Sequence, residues 1–550
     1  MYASVVVAVV GGVGLFLLGM TVMTDGLKAM AGSTLRAVLS KAAATPLSGV
    51  FWGAIVTLLV QSSSATTMTT IGLVSAGLLT FPQGLGLVFG ANVGTTGTGW
   101  LVALIGLRVS LSSYALPMIF VGALMKLLAS GRIAAAGAAL AGFALVLYGL
   151  TTLQQGMGGI AENMHPADFP AVLGTTGVSW VSGWIGLLKL VVAGLVMTAV
   201  MQSSTAAIAV TLAAFGAGAI GLNQGCALII GQNIGTATSS GLAAIGASAT
   251  AKRLAFAYVL FKLIAALIAL AVFPVTMPLM QRWQSAVDGL TLLAAYHTAF
   301  NVVGVVALLP AVDWFTRFVE RLLPYKESAL GPSLDPAALV NPVVAVETVR
   351  RAVANVLRAL SISIAASLAG EDGKSAGTSQ STATLKEARE FLSELKEPPG
   401  SEEESLRLTH MVHALDRTSR LAEMVGEGDT PALANGGSDD RRAAELCKGG
   451  MRSAEIIAGS IVAESALSPR APPIGWEASP EAEAVLAELA SVANALRSMQ
   501  PQHRAATLLS VAPGKLRAAE AFARVDAVRR LDGMTHNAWR AAAHLLGREE

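Results

Sequence analysis

The sequence predicts an all-α protein made of a polytopic membrane domain and a C-terminal soluble helical bundle. Three observations predict it: charge is distributed unevenly, the apolar segments are long enough to cross a bilayer, and a polar motif is duplicated within them. Of 550 residues, 74 are charged (38 Lys or Arg plus 36 Asp or Glu), but only 15 of these precede residue 311. So little charge in 310 residues is typical of a membrane domain, whereas 59 charges in the remaining 240 residues indicate a soluble one.

Hydropathy predicts seven ordinary membrane helices in the first part of the chain. The first helix has no basic residue before its long apolar run, so we expect it to remain in the membrane rather than to serve as a signal peptide. Asp25 and Lys28, which follow it, are expected in a short interfacial helix. The seven helices are expected near residues 4–23, 84–106, 112–129, 133–150, 225–247, 254–273 and 290–310.

Two further segments are too long for a single crossing. Residues 46–82 contain no charge over 37 positions. As one straight helix they would extend for about 55 Å, compared with about 30 Å of hydrocarbon. A hairpin of two half-helices that turns back inside the protein accommodates this length. Residues 190–222 pose the same problem, so we predict a second re-entrant hairpin there.

Both hairpins contain the same polar motif. Aligning residues 57–96 with 198–237, at a constant offset of 141 and without gaps, gives 15 identities in 40 positions. The shared blocks are Gln-Ser-Ser and Gly-x-Asn-x-Gly-Thr, and their Gln and Asn lie 31 positions apart in both copies. We interpret this pattern as an internal duplication. An odd number of crossings between the copies would make it an inverted repeat, as in many transporters.

Uncharged hydroxyls and amides within apolar segments suit an ion-binding site. Ser, Thr, Asn and Gln all offer hydrogen-bond donors and acceptors without a formal charge. At the N-terminus of a half-helix, serine side chains and free backbone N–H groups point the same way and can bind an oxyanion. Oxygen atoms of an unwound turn can bind a small cation such as Na⁺. The alternative is that these small residues serve helix packing. A packing role and a role in the ion site can hold together for Gly90, Gly94, Gly231 and Gly235.

With QSSS at Gln61–Ser64 and QSST at Gln202–Thr205, the chain resembles the sodium-dependent phosphate cotransporter family (the type II Na/Pi group), in its bacterial form with a PhoU-like domain. The resemblance covers roughly residues 11–310 and implies symport of inorganic phosphate with Na⁺. It implies that phosphate binds Ser62, Ser63, Ser64, Ser203, Ser204 and Thr205. It also implies that Na⁺ binds Gln61, Gln202, Asn92, Thr95, Asn233, Thr236 and Ser239.

The sequence departs from the family pattern at several positions. Thr205 retains the hydroxyl of the motif but adds a methyl group, which changes the size of the pocket. Residues 295–301, AYHTAFN, resemble a late family segment, but the related stretch AYVLFKL has Tyr258 and Lys262 where His and Asn are expected. The number of coupling cations and the role of Lys262 are therefore left open. His297 is expected either to be a hydrogen-bonded structural residue or to couple transport to pH.

The predicted domains follow from these boundaries. Arg317, Arg321 and Lys326 follow the last span, so we place that end in the cytoplasm, with the spans in the inner (plasma) membrane. The C-terminal tail resembles PhoU-like proteins, many of which bind metal through Glu-x-x-x-Asp. Here Val412 and Val528 occupy the Glu positions, so no metal cluster is predicted. The domains are a transport domain at 1–325, with repeats at about 1–150 and 175–325, a linker at 326–342 and a PhoU-like cytoplasmic helical domain at 343–550.

The function predicted from the sequence is sodium-coupled phosphate symport by alternating access. No catalytic motif of the hydrolase, P-loop or zinc-protease kind is present, so an enzyme is not predicted, and no cofactor is expected besides Na⁺ as the coupling ion. Two alternatives remain open: an exporter of phosphate or of another oxyanion, and a membrane phosphate sensor that signals through the C-terminal domain. A homodimer, or a cytoplasmic regulatory partner bound through the C-terminal domain, is a further expectation. No nucleic-acid partner is predicted.

Overall fold

The chain forms two compact units in a computed structural model. The N-terminal unit comprises Met1–Ile71 and Phe81–Pro324, and the C-terminal unit comprises Gly72–Thr80 and Tyr325–Glu550. Every regular element in the described residues is helical. The described residues are 2–42, 45–75, 78–106, 112–162, 165–175, 177–243, 249–324, 334–370, 376–395, 401–426, 437–463 and 479–548.

Each of the seven segments predicted from hydropathy is helical in the described residues of the N-terminal unit, but residues 112–129 and 225–247 are not among the segments long and apolar enough to cross a bilayer. The first helix is longer than expected, because it continues without a break through Asp25 and Lys28. The prediction of a separate interfacial helix for these two residues is therefore wrong. The helices of this part of the chain are α1 (Tyr2–Ala42), α2 (Pro46–Val60), α3 (Ser63–Ser75), α4 (Phe81–Leu101), α5 (Ser112–Leu128), α6 (Gly131–Ala161), α7 (Trp180–Met201), α8 (Ser204–Gly216), α9 (Leu222–Ala243), α10 (Ala249–Trp283), α11 (Gly289–Leu308) and α12 (Val312–Leu322).

Helices of membrane-spanning length recur along the chain. Seven segments of the described residues are long and apolar enough to cross a bilayer, and α2, α5 and α8 contain shorter apolar stretches. The prediction of an all-α polytopic membrane protein is confirmed. The seven segments are Ser4–Met30, Phe81–Leu104, Gly131–Ala161, Trp180–Met201, Ala251–Trp283, Gly289–Leu322 and Pro342–Leu368.

Close backbone contacts show how α2, α3 and α4 are arranged. A β-carbon added at Gly90 would lie 2.0 Å from the carbonyl oxygen of Val50, and one at Gly94 would lie 2.4 Å from that of Ala54. Both contacts join residues 40 positions apart (90 − 50 and 94 − 54), so α2 and α4 run parallel. Since α4 starts again from the same side as α2, the intervening α3 must bring the chain back.

The second copy repeats this arrangement at the same offset. A β-carbon at Gly231 would lie 1.8 Å from the carbonyl oxygen of Val191, and one at Gly235 would lie 2.8 Å from that of Leu195. Each of these four residues lies 141 positions after its counterpart in α2 or α4. The packing role of the four glycines is confirmed, and the duplication extends from sequence to contacts. The inverted orientation of the two copies stays a prediction.

The C-terminal unit is a helical bundle in which α13 packs against α14, α15, α16 and α18. This central position accounts for the apolar composition of α13, because a helix that is apolar all round must be covered. Its buried charges are paired: the Glu347 carboxylate accepts hydrogen bonds from Arg350 at 3.3 Å and from Arg351 at 3.1 Å. The helices are α13 (Pro342–Leu368), α14 (Ala376–Ser393), α15 (Glu402–Gly426), α16 (Ser438–Ala463), α17 (Pro480–Leu509) and α18 (Ala518–Leu545).

Three histidines meet where α15 packs against α18 in this bundle. The Nδ1 atoms of His410 and His544 lie 3.2 Å apart, and the rings of His413 and His544 are stacked with centroids 5.0 Å apart. Burial, together with the proximity of His413 and His410, lowers the pKa of His544 to about 4. The His544 ring is therefore neutral at physiological pH.

Candidate functional site

Each duplicated motif begins with a glutamine that breaks a helix. Gln61 ends α2 with φ 56° and ψ 28°, and Gln202 ends α7 with φ 51° and ψ 21°. Within the described part of the chain, these are the only non-glycine residues with positive φ. The left-handed conformation costs a residue with a β-carbon roughly 1–2 kcal/mol, so both turns must be stabilised by their surroundings.

The glutamine side chains provide part of this stabilisation. The Nε2 group of Gln61 donates to the carbonyl oxygen of Leu58, and that of Gln202 donates to the equivalent carbonyl of Ala199. A carbonyl at the end of a helix has no partner within the helix, so each side chain satisfies one such group. The other end of the Gln61 amide, Oε1, accepts a hydrogen bond from the Thr98 hydroxyl at 2.7 Å.

The serine that follows each glutamine starts the next half-helix. The Ser62 hydroxyl oxygen accepts a hydrogen bond from the Ala65 N–H at 3.3 Å, and that of Ser203 accepts one from the Ala206 N–H at 3.2 Å. This is N-terminal capping, which leaves the O–H of each serine able to donate elsewhere. Thr57 donates to Thr66 at 2.9 Å across the first turn, which shows that α2 and α3 fold back on each other.

Both motifs line one cavity of about 360 Å³, a volume within the range of small-molecule sites. The N-termini of α3 and α8 therefore meet at the same space, and each brings backbone N–H groups with partial positive charge. Ten of the thirteen residues predicted for the site line this cavity: Gln61, Ser62, Ser63, Ser64, Thr95, Gln202, Ser203, Ser204, Thr205 and Thr236.

Two other predicted residues, Asn92 and Asn233, do not line it. They are buried at 1% and 2% exposure. The side chain of Ser239 lies outside the described residues. The hydroxyls of Thr95 and Thr236 donate to backbone carbonyls of their own helices, Ala91 at 2.8 Å and Asn233 at 2.6 Å, so their oxygen lone pairs remain available as acceptors.

One wall of the cavity comes from α1, which sequence analysis did not assign to the site. Its polar lining residues are Thr21, Thr24, Asp25 and Lys28. They are spaced at i, i+3, i+4 and i+7, the pattern of one helix face, and this spacing could have identified them from the sequence. Asp25 and Lys28 form an exposed ion pair at 3.8 Å, so the charged lining side chains contribute no net charge.

Tyr258 of α10 lines the cavity together with both copies. It shares this lining with Ser63, in the first motif, and with Thr236, after the second. Sequence analysis noted this tyrosine only as a departure from a family pattern. No local signal could have placed it here, because its position depends on how α10 packs against α9.

An all-α membrane protein with two broken helices whose half-helix ends meet at an internal polar cavity has the architecture of a secondary transporter. The profile of the Na⁺/Pi-cotransporter family matches residues 15–155 and 173–302. The chain belongs to this family, and the resemblance inferred from the two motifs is confirmed for these residues. The PhoU-like nature of the C-terminal domain stays a prediction.

Several curated proteins are similar to the chain. An uncharacterized protein, YqeW of Bacillus subtilis, is 28% identical over 56% of the chain and 96% of its own length. A putative inorganic phosphate export protein, YjbB of Escherichia coli K12, is 29% identical over 62% of the chain and 60% of its own length. The human sodium-dependent phosphate transport protein 2B is 46% identical over 59 residues, which is 11% of the chain and 9% of that protein. No solved structure matches the chain.

Proposed function

We propose that this protein is a sodium-coupled phosphate transporter in which the two Gln-Ser-Ser turns together form the phosphate site. The observation that carries the proposal is that the N-termini of α3 and α8, with all six predicted hydroxyl residues, line one cavity. Hydroxyl and backbone N–H donors around a helix N-terminus are the groups that bind phosphate in many unrelated proteins.

The charge of the site supports coupling to a cation. Phosphate is an anion, and the charged lining residues Asp25 and Lys28 neutralise each other. An anion that leaves water for a site without compensating charge pays a large desolvation cost. Sodium ions that enter with phosphate would remove most of this cost, and the oxygens of Gln61, Thr95 and Thr236 are suitable ligands for a hard cation.

The proposal extends to the location of the protein. The spans are placed in the inner (plasma) membrane, with the C-terminal unit in the cytoplasm, because the basic residues Arg317 and Arg321 lie at the C-terminal end of the last apolar segment of the N-terminal unit. One relative is named as a putative phosphate export protein and another as a sodium-dependent phosphate transport protein, and a secondary transporter runs in whichever direction the gradients favour. We therefore assign coupled movement of the two ions and not a physiological direction.

The test is phosphate flux in proteoliposomes that contain the full chain. An inward sodium gradient should drive accumulation of radiolabelled phosphate, and an outward gradient should drive its release. Equal flux with sodium and with choline would exclude coupling. Competition by sulfate and arsenate would show how selective the hydroxyl site is, and faster flux of either than of phosphate would contradict the substrate assignment.

A further inference from the structure

A lysine is buried against the second copy of the Gly-x-Asn-x-Gly-Thr block. Lys262 of α10 is 2% exposed, and its Nζ donates to the Oδ1 atom of Asn233 at 2.6 Å. The ring of Tyr258, one helical turn earlier, lies 5.5 Å from the ammonium group. Among the described residues, no carboxylate forms a salt bridge with Lys262. A buried ammonium without a carboxylate partner is costly, so its charge requires another explanation.

The equivalent asparagine of the first copy has no such partner. Asn92 is 141 positions before Asn233 and is 1% exposed. Its Nδ2 donates to the Val88 carbonyl at 3.0 Å, which fixes the orientation of the amide. Among the described residues, its buried Oδ1 has no hydrogen-bond partner. A buried amide oxygen without a partner is costly, and such an oxygen is a suitable ligand for a hard cation.

The two copies thus differ in what their asparagine carbonyl faces. In the second copy the Asn233 oxygen accepts a hydrogen bond from the Lys262 amine. In the first copy the Asn92 oxygen has no hydrogen-bond partner among the described residues. Each lies about one helical turn before a cavity-lining threonine, because Thr95 and Thr236 follow Asn92 and Asn233 by three residues on the same helices.

We infer that Lys262 is a built-in cation, which occupies in the second copy the position that a sodium ion occupies beside Asn92 in the first. This inference rests on the proposed function and specifies its coupling. The ammonium group supplies positive charge beside Asn233, so one fewer sodium ion must enter with each phosphate than two equivalent copies would require. Lys262 is therefore a positioning residue that sets the number of coupled ions.

The experiment measures how many sodium ions bind with phosphate. Isothermal titration of inorganic phosphate into the full chain in nanodiscs is repeated over a sodium series, with choline chloride keeping the ionic strength constant and the pH fixed. The slope of the logarithm of the phosphate association constant against the logarithm of sodium concentration counts the coupled ions by linkage. Lys262→Met should raise this slope by about one, because sodium must now bind to the Asn233 oxygen. Asn92→Leu should lower it by about one.

Two controls separate charge from structure. Lys262→Arg retains the positive charge and should retain the wild-type slope. Lys126→Met removes an exposed lysine of α5 and should also leave the slope unchanged. An unchanged slope in Lys262→Met, with sodium-dependent binding in the wild type, would overturn the inference and leave the proposed function intact. Binding that ignores sodium in the wild type would instead overturn the proposed function.

A second readout applies if Lys262→Met is unstable. The thermal midpoint of the variant without phosphate is compared in sodium chloride and in choline chloride. A built-in cation predicts that sodium raises the midpoint of Lys262→Met by more than it raises that of the wild type, because the vacated site binds the ion. The same loss of stability in both salts would show that Lys262 is structural only and would also overturn the inference.

Discussion

The Ser203 hydroxyl caps α8 and is also proposed to bind phosphate. Substitutions at this position can separate the two roles. The oxygen accepts the N–H of Ala206 at 3.2 Å, so only the O–H is free to donate to phosphate. Ser203→Ala removes both interactions. Loss of the cap should cost about 1 kcal/mol of folding stability. Loss of a hydrogen bond to a charged group should cost about 1.5–3 kcal/mol of binding, which is an increase of roughly 10- to 150-fold in the phosphate Kd.

Two further variants at the same position make the test specific. Ser203→Thr retains both interactions and should bind phosphate nearly as well as the wild type. Ser203→Asp retains an oxygen that caps α8 but has no donor and adds a negative charge, so it should fold and fail to bind. The assays are titration calorimetry with phosphate in saturating sodium and thermal unfolding. A wild-type Kd for Ser203→Ala, or strong binding by Ser203→Asp, would refute this assignment of the hydroxyl.

Two other predictions concern the packing of α9 and the histidines of the C-terminal unit. Gly231→Ala would place a β-carbon 1.8 Å from the Val191 carbonyl oxygen and should lower the free energy of unfolding by about 1–3 kcal/mol. The control is Gly241→Ala, on the same helix with open space around it, which should not lower it. Equal thermal midpoints for the two variants would contradict this prediction. Because the folded-state pKa of His544 is about 4, below the usual value of roughly 6.5, its neutral form contributes stability that is present above pH 6.5 and is lost as the pH falls toward 4. After allowance for solvent screening, the loss of folding stability is about 1–2 kcal/mol. The thermal midpoint should therefore change less between pH 7.5 and pH 5 for His544→Leu than for the wild type. An equal change in the two proteins would show that His544 is not the origin of the pH dependence.

The parts of the site that depend on local sequence could be predicted, and the parts that depend on packing could not. A charge-free run from 46 to 82 is too long for one crossing, so the break near Gln61 follows from length alone. The repeat of Gln-Ser-Ser at a constant offset predicted that the two turns share a role. The wall formed by α1 was missed because hydropathy ended that helix before Asp25. The position of Tyr258 at the cavity required knowledge of how α10 packs against α9.

Main chain touches main chain where Gly90 meets Val50, and again where Gly231 meets Val191. At these backbone contacts there are no side chains that could repack. The pair of α2 and α4, and the pair of α7 and α9, should therefore each move as a rigid body. Any conformational cycle must therefore occur by displacement of these bodies against other helices or by bending at the glutamine turns, and the register inside each pair stays the same throughout.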